Sequence, residues 1–347
     1  MATEQLAADL VRIKSLSGGE AEIAAFIASH LRAKGLSPKV DGRNVLCSVG
    51  KGKRSLLLNS HLDTVPPNSG WSMDPFAAKK AGGKLYGLGS NDAKGCVACM
   101  IDAFTSLDVK TLKGKVILAL TCDEETGGQG LETVLPKLGK LDGAIIGEPT
   151  GLGICNAQKG HLMLKVVAKG KSAHSSYPEK GVNAIYKACE GIGVLRKMSF
   201  SRKHKALGLP TVAVTTISGG TKRNVIPSEC EFIADIRSTP AYSHDELIRM
   251  VKKKLGKGME VVVHSSRLVP KETSADEKIV KAAKAVLGTS VRGSSTMSDM
   301  VFVDCPAIKL GPGNSHMSHQ ADEYIEISQL KKGVAAYKSI IERFLAP

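Results

Sequence analysis

The stretch Ser55-Leu56-Leu57-Leu58-Asn59-Ser60-His61-Leu62-Asp63-Thr64-Val65 is a short apolar run that stops on polar residues and is closed by Pro66-Pro67. Residues 115–121 and 141–146 are further short apolar runs, and helical periodicities occupy residues 20–34, 93–107 and 129–138 between them. Strands alternating with helices predict an α/β fold with a mostly parallel sheet and helices on both faces. The polar side chains that follow such a strand stand at the carboxyl edge of the sheet, where open α/β folds build their sites.

From about Gln158 the texture changes. Residues 161–168 and 211–218 alternate like half-buried strands, residues 182–196 read as a helix, and residues 229–236 and 260–264 add strands around a helix at 243–255. Strand, helix, strand, strand, helix, strand is the order of a ferredoxin-like α+β domain. After Pro270 the first texture resumes, with a helix at 276–287, an apolar segment at 300–310 and a closing helix at 328–345. The expected organisation is therefore a discontinuous domain, residues 1–157 and 269–347, interrupted by an inserted domain, residues 158–268. A chain of 347 residues exceeds what one core usually serves, which agrees with two domains.

Composition bounds the function. Apolar content of 42% is that of a globular protein. No segment is long and apolar enough to span a membrane, and residues 1–16 read as an amphipathic helix and not as a signal peptide. Of the eight cysteines only Cys96 and Cys99 form a C-x-x-C, without a second pair or paired histidines; they read as two thiols on the apolar face of a helix. Free thiols suit a cytoplasmic protein. The net charge of +15 comes in short separated clusters such as Lys51 to Arg54, with few aromatics nearby to stack bases. It reads as a solvated surface that attracts anionic small molecules, not as a nucleic-acid groove.

The polar residues at the strand ends carry the chemistry. His61 and Asp63 lie two apart, so on an extended segment they project to one side, and a carboxylate beside a ligating histidine fixes its tautomer. Asp92 lies in Gly87-Leu88-Gly89-Ser90-Asn91-Asp92-Ala93-Lys94-Gly95, a glycine-rich stretch before a helix that matches neither dinucleotide nor Walker spacing. Such a residue can cap the helix or bridge two cations. Asp123-Glu124-Glu125 follows a strand directly, and three successive carboxylates repel one another unless cations or solvent separate them. Glu148, between Gly147 and Pro149, repeats the geometry. Hard oxygen ligands with a few imidazoles suit zinc, cobalt or manganese.

In this order the motifs are specific. His61-Leu62-Asp63-Thr64-Val65, Gly89-Ser90-Asn91-Asp92-Ala93-Lys94-Gly95, Asp123-Glu124-Glu125-Thr126-Gly127-Gly128, Gly147-Glu148-Pro149-Thr150 and Ser318-His319-Gln320-Ala321-Asp322-Glu323 span essentially the whole chain. Through them it resembles the co-catalytic zinc peptidase and aminoacylase family that contains acetylornithine deacetylase, succinyl-diaminopimelate desuccinylase, acetyl-lysine deacetylase and bacterial carboxypeptidases. The sequence departs from many relatives in carrying Ala93 where they have methionine.

The resemblance implies two divalent metal ions, most simply zinc. His61, Asp92 and Glu148 would hold one, and Asp92, Glu125 and His319 the other, with His316 the competitor of His319. It also implies a cis peptide bond after Asp92, Asp63 orienting His61, and Glu124 as catalytic base. His174, in Gly170-Lys171-Ser172-Ala173-His174-Ser175, matches a family histidine that contacts the oxyanion, commonly from the partner subunit of a homodimer formed through the inserted lid and dimerisation domain. Arg237 and Asn224 match substrate-binding positions. The implied activity is removal of an N-acyl group from a small-molecule amino acid, with the acetylornithine branch favoured by the texture around Tyr86 to Asp92 and His319 to Tyr324. Acetyl-lysine deacetylase, succinyl-diaminopimelate desuccinylase and dipeptidase are the alternatives. A metal-free binding protein on the same fold would have lost ligands, and all the expected types are present.

Overall fold

The computed structural model describes residues 2–347. The chain divides into two compact units: the first runs to Asn156 and resumes at Thr273–Arg292 and Ser298–Pro347, and the second comprises Ala157–Glu272 with Gly293–Met297. Residues 293–297 thus side with the second unit, apart from the rest of the sequence that follows it.

The centre of the first unit is a row of parallel strands. Ser55–His61 lies between Lys115–Thr121 and Gly143–Ile146, with Leu56 opposite Val116 and Gly143, and Gly143–Ile146 pairs in parallel with Ala307–Lys309. Antiparallel strands flank this row, Asn44–Val49 on one side and Cys155–Gln158 on the other. Every residue of Ser55–His61 is buried, yet the pleat divides them between two cores. Leu56 and Leu58 join Val116, Leu118 and Leu120 against the helices Gly95–Thr105 and Ile327–Leu345. Leu57 joins Ile117, Ala119 and Ala144 against Leu131 and Val134 of the helix Gln129–Leu138. Each such leucine contributes roughly 1.5–3 kcal/mol relative to exposure, so a run apolar on both faces is stable only between two helical layers. The α/β reading with a mostly parallel sheet covered on both faces therefore holds.

The second unit carries a four-stranded antiparallel sheet in the order Thr211–Gly219, Glu229–Ser238, Gly160–Lys169, Met259–Leu268. Numbered along the chain this is 2-3-1-4, the ferredoxin-like arrangement expected from the sequence. Leu162, Leu164 and Val166 with Phe232, Ala234 and Ile236 point to one face and pack on Ala188 and Leu195 of the helix Ala184–Arg196 and Leu247 and Val251 of the helix His244–Leu255. Both helices begin on a side-chain cap: Asn183 accepts from the amides of Ile185 and Tyr186, and Ser243 from that of Glu246.

Three differences from the sequence reading have local causes. The first helix is Thr3–Arg12 and stops short of residue 16, because residues 15–17 pair with the segment after His61: Ser15 Oγ donates to Leu62 O at 2.7 Å and Thr64 N to Ser15 O at 2.9 Å. The strands Lys39–Asp41 and Asn44–Val49 form a hairpin not anticipated, although Asp41-Gly42 is a hairpin signal. Lys79–Ala81 and Lys84–Tyr86 form another around Gly82 and Gly83, both at positive φ, and Tyr324–Glu326 adds to it. Among the described residues no helix is long and apolar enough to cross a membrane.

Candidate metal centre

The parallel strands deliver the site. His61 ends Ser55–His61 opposite Thr121, the last residue of the neighbouring strand, and Glu124 and Glu125 follow in the next turn. Glu148 stands two residues beyond Gly143–Ile146. These side chains leave the carboxyl edge together because their strands run the same way.

Two triads of ligand atoms result. His61, Asp92 and Glu148 present one atom each within 4.8 Å of one another, as do Asp92, Glu125 and His319, so Asp92 is common to both. His61 Nε2 lies 3.2 Å from Asp92 Oδ1 and 4.0 Å from Glu148 Oε1, while its Nδ1 lies 2.9 Å from the backbone oxygen of Asp63. An Nδ1–H donated to that carbonyl leaves the Nε2 lone pair facing the two carboxylates, the tautomer a metal requires. His319 Nε2 meets Glu125 Oε1 at 3.0 Å. His316 is exposed in the turn Ser315–Met317 and belongs to neither triad. Mixed imidazole and carboxylate sets sharing one carboxylate fit two divalent cations of the zinc, cobalt or manganese type.

Asp63 holds His61 through its carbonyl; its carboxylate is 3.6 Å from Nδ1. That carboxylate instead accepts from Ser17 Oγ at 2.8 Å and from the amides of Glu124 at 3.0 Å and Glu125 at 3.1 Å. It thus organises the glutamate turn as well as the histidine.

The Asp92 loop is shaped by its backbone. Gly89 is left-handed at φ 76°, and the Asp92–Ala93 peptide bond is cis. Glu323, only 1% exposed, accepts from the amides of Gly89, Asn91 and Asp92 at 2.8–2.9 Å. Asn91 ties the same loop to Asn314, donating through Nδ2 to its carbonyl and accepting its amide at 2.7 Å.

Crowded acids shift one another. Burial, then the charge of Glu148, pushes Glu124 well above the ordinary carboxylate range. Burial also raises Glu148 to about 7, although Lys309 Nζ stands 3.8 Å away. For Asp92 burial is outweighed by the hydrogen bond and charge of His61, which hold it down at about 2. The hydrogen bond to Glu125 lifts His319 to about 9. Opposed shifts among adjacent carboxyls are what close packing of acids around one histidine produces, and such groups cluster at functional sites.

The other expected residues lie in the second unit. His174 is exposed on the short strand Ala173–His174, which pairs with Val225–Ile226, and Ser175 N donates to Asn224 O at 3.0 Å, so His174 and Asn224 are neighbours. His174 Nδ1 accepts from Ser176 N at 3.1 Å, which leaves the proton on Nε2. Arg237 donates through Nε and Nη2 to Asp235, which also meets His161 Nε2 at 2.9 Å.

Sequence reasoning passed over Glu323, although it closes the Ser318–Glu323 motif, and passed over Asp299, 1% exposed just before the apolar segment 300–310, and Lys309, 2% exposed within it. Burial of a charged residue has no local signal. Cys96 and Cys99 are buried on the helix Gly95–Thr105, with Sγ near Pro312 O and Leu330 O.

Fold and site together are those of a metal-dependent amide hydrolase. The chain belongs to peptidase family M20/M25/M40, which it matches over residues 57–343. It is 35% identical to acetylornithine deacetylase of Klebsiella pneumoniae (strain 342) over 318 residues, 87% of this chain and 83% of that one. Its fold is shared with aminopeptidase PepT from Bacillus cereus, with a TM-score of 0.81 at 22% identity and all of both chains covered. It is shared also with the YXEP protein of Bacillus subtilis, described as a dinuclear metal-binding peptidase, with a TM-score of 0.79 at 17% identity over 98% of this chain and 96% of that one.

Proposed function

We propose that this protein removes the acyl group from an N-acyl amino acid by metal-dependent hydrolysis, with N-acetylornithine the favoured substrate and arginine biosynthesis the setting. The observation that carries the reading is the pair of triads sharing Asp92, with Glu124 on the turn beside them. The similarity to acetylornithine deacetylase supports the choice of substrate.

His61, Asp92 and Glu148 would hold one cation and Asp92, Glu125 and His319 the other, zinc most simply. Bound there, the cations would supply Lewis-acid polarisation of an amide carbonyl and lower the pKa of water. Glu124 is the general base: it stands on the turn beside both triads, where a carboxylate can take a proton from water and return it to the departing amine. His174, carrying its proton on Nε2, is the donor for the developing oxyanion. Asp235 orients the Arg237 fork for a substrate carboxylate, and Asn224 is a companion donor.

A homodimer through the second unit is part of the reading, and its exposed apolar side chains support it: Ile217 on the outermost strand is 52% exposed and Tyr186 on the helix is 69% exposed. The eight free cysteines, seven of them buried, suit a reducing cytoplasm.

The test is turnover by purified, zinc-loaded protein of N-acetylornithine, N-acetyl-lysine, N-succinyl-diaminopimelate and a dipeptide panel. Highest kcat/KM on N-acetylornithine supports the assignment, preference for another member moves it to that branch, and no turnover of any rejects the deacylase reading.

A further inference from the structure

Four consecutive backbone amides around the base donate to side-chain oxygens from distant parts of the chain: Cys122 to Asn44 Oδ1 at 2.9 Å, Asp123 to Glu20 Oε1 at 3.1 Å, and Glu124 and Glu125 to the two oxygens of Asp63 at 3.0 and 3.1 Å. The turn needs such restraint. Asp123 is held at φ 58°, the left-handed region that a non-glycine residue adopts only where its surroundings hold it there.

One holding group, Glu20, is an acid that stands beside the carboxylate of Asp123, and two like charges so placed repel unless a cation joins them. Glu20, with a side chain 0% exposed, and Asp123 converge with Cys122 in a cluster that by residue type alone resembles a metal site. Arg43 occupies it. Its Nη1 and Nη2 lie 3.0 and 2.6 Å from the two oxygens of Asp123, and Nη1 also meets Glu20 Oε2. A planar fork can grip Asp123 with two nitrogens while it meets Glu20, whereas an ammonium offers single contacts and no fork.

We propose that Arg43 is a positioning residue for hydrolysis: by joining Glu20 to Asp123 it fixes the turn that aims Glu124 at water and Glu125 at its cation. Arg43 acts only through Asp123 and Glu20. The inference rests on the roles of Glu124 and Glu125 given above.

The test uses full-length Arg43→Met and Arg43→Lys proteins, stripped of metal and titrated with zinc by calorimetry, with Glu125→Ala and His61→Ala as references that assign each binding event to its triad. Turnover of the best N-acyl amino acid is measured alongside. Arg43→Met should weaken the event lost in Glu125→Ala about 10- to 100-fold, leave the event lost in His61→Ala within about twofold, and lower kcat to a similar extent with little change in KM. Arg43→Lys should recover part of both losses. Equal weakening of both events, or unchanged zinc affinity and kcat in Arg43→Met, overturns the proposal; if Arg43→Met does not fold, Arg43→Lys is judged by the same contrast between events. Should the unmodified protein hydrolyse no N-acyl amino acid, the functional reading fails while the zinc titration still decides the role of Arg43.

Discussion

Glu323 receives the backbone amide of Asp92 at 2.8 Å, and it holds the amides of Gly89 and Asn91 with the same carboxylate. The residue shared by both ligand triads is therefore aimed by an acid 231 positions away. Glu323→Ala should strip two buried donors and one partly buried donor of their acceptor, at about 1–3 kcal/mol for each buried group left unsatisfied, and weaken zinc binding at both triads. Denaturant melts with and without zinc measure the first effect and calorimetry the second. Unchanged affinity for both cations would mean that the Asp92 loop holds its shape without Glu323.

The roles proposed for Glu124 and His61 predict that proton transfer and metal binding can be lost separately. Glu124→Gln should bind zinc like the unmodified protein and lose about 10²- to 10⁴-fold in kcat, the range of a general base. His61→Ala should lose zinc affinity first, with activity recovering at high zinc. Elemental analysis beside kinetics distinguishes the two, and normal hydrolysis by Glu124→Gln would remove it from the role of base.

His174→Ala should lower kcat about 10²- to 10³-fold with little change in KM, because an oxyanion donor acts on the transition state. If the histidine comes from a partner copy, mixing His174→Ala with Glu124→Gln restores part of the activity in the mixed dimer. A loss expressed only in KM would make His174 a substrate-binding group.

Asp299 titrates against the fold. Burial raises its carboxyl from 3.8 to about 7, and it accepts from Thr121 Oγ1 at 3.2 Å close to Asn59 and Asp63. As pH rises from about 4 to 7 the unfolded chain releases this proton while the folded chain keeps it, so stability falls across that window by at most about 1.4 kcal/mol per pH unit from this group. Urea midpoints of the metal-free protein between pH 4.5 and 7 should therefore decline less steeply in Asp299→Asn. An identical slope would show that Asp299 ionises normally.

Much of this was legible in the chain. Residues 55–59 and 115–121 betrayed buried strands because a run apolar on both faces fits only between two helical layers, and the alternation of residues 161–168 and 229–236 betrayed a sheet covered on one face. What escaped were the short strands Asn44–Val49 and Cys155–Gln158 at the flanks, where little distinguishes strand from loop, and the turns that end them.

The sequence by itself determined which chemical groups follow the strands, since a polar residue at the end of an apolar run is placed at the sheet edge by local backbone direction: His61 and the acids of residues 123–125 and 148 could be read there without knowledge of their neighbours. Only the tertiary structure decided how those groups are held. Arg43 reaches Asp123 across 80 positions and Ser17 reaches Asp63 across 46, and Asp63 spends its carboxylate on the Glu124–Glu125 turn while its carbonyl takes His61. A buried charge finds its partner by spatial proximity and not by spacing along the chain, so the residues that aim the site become visible only when the chain has folded.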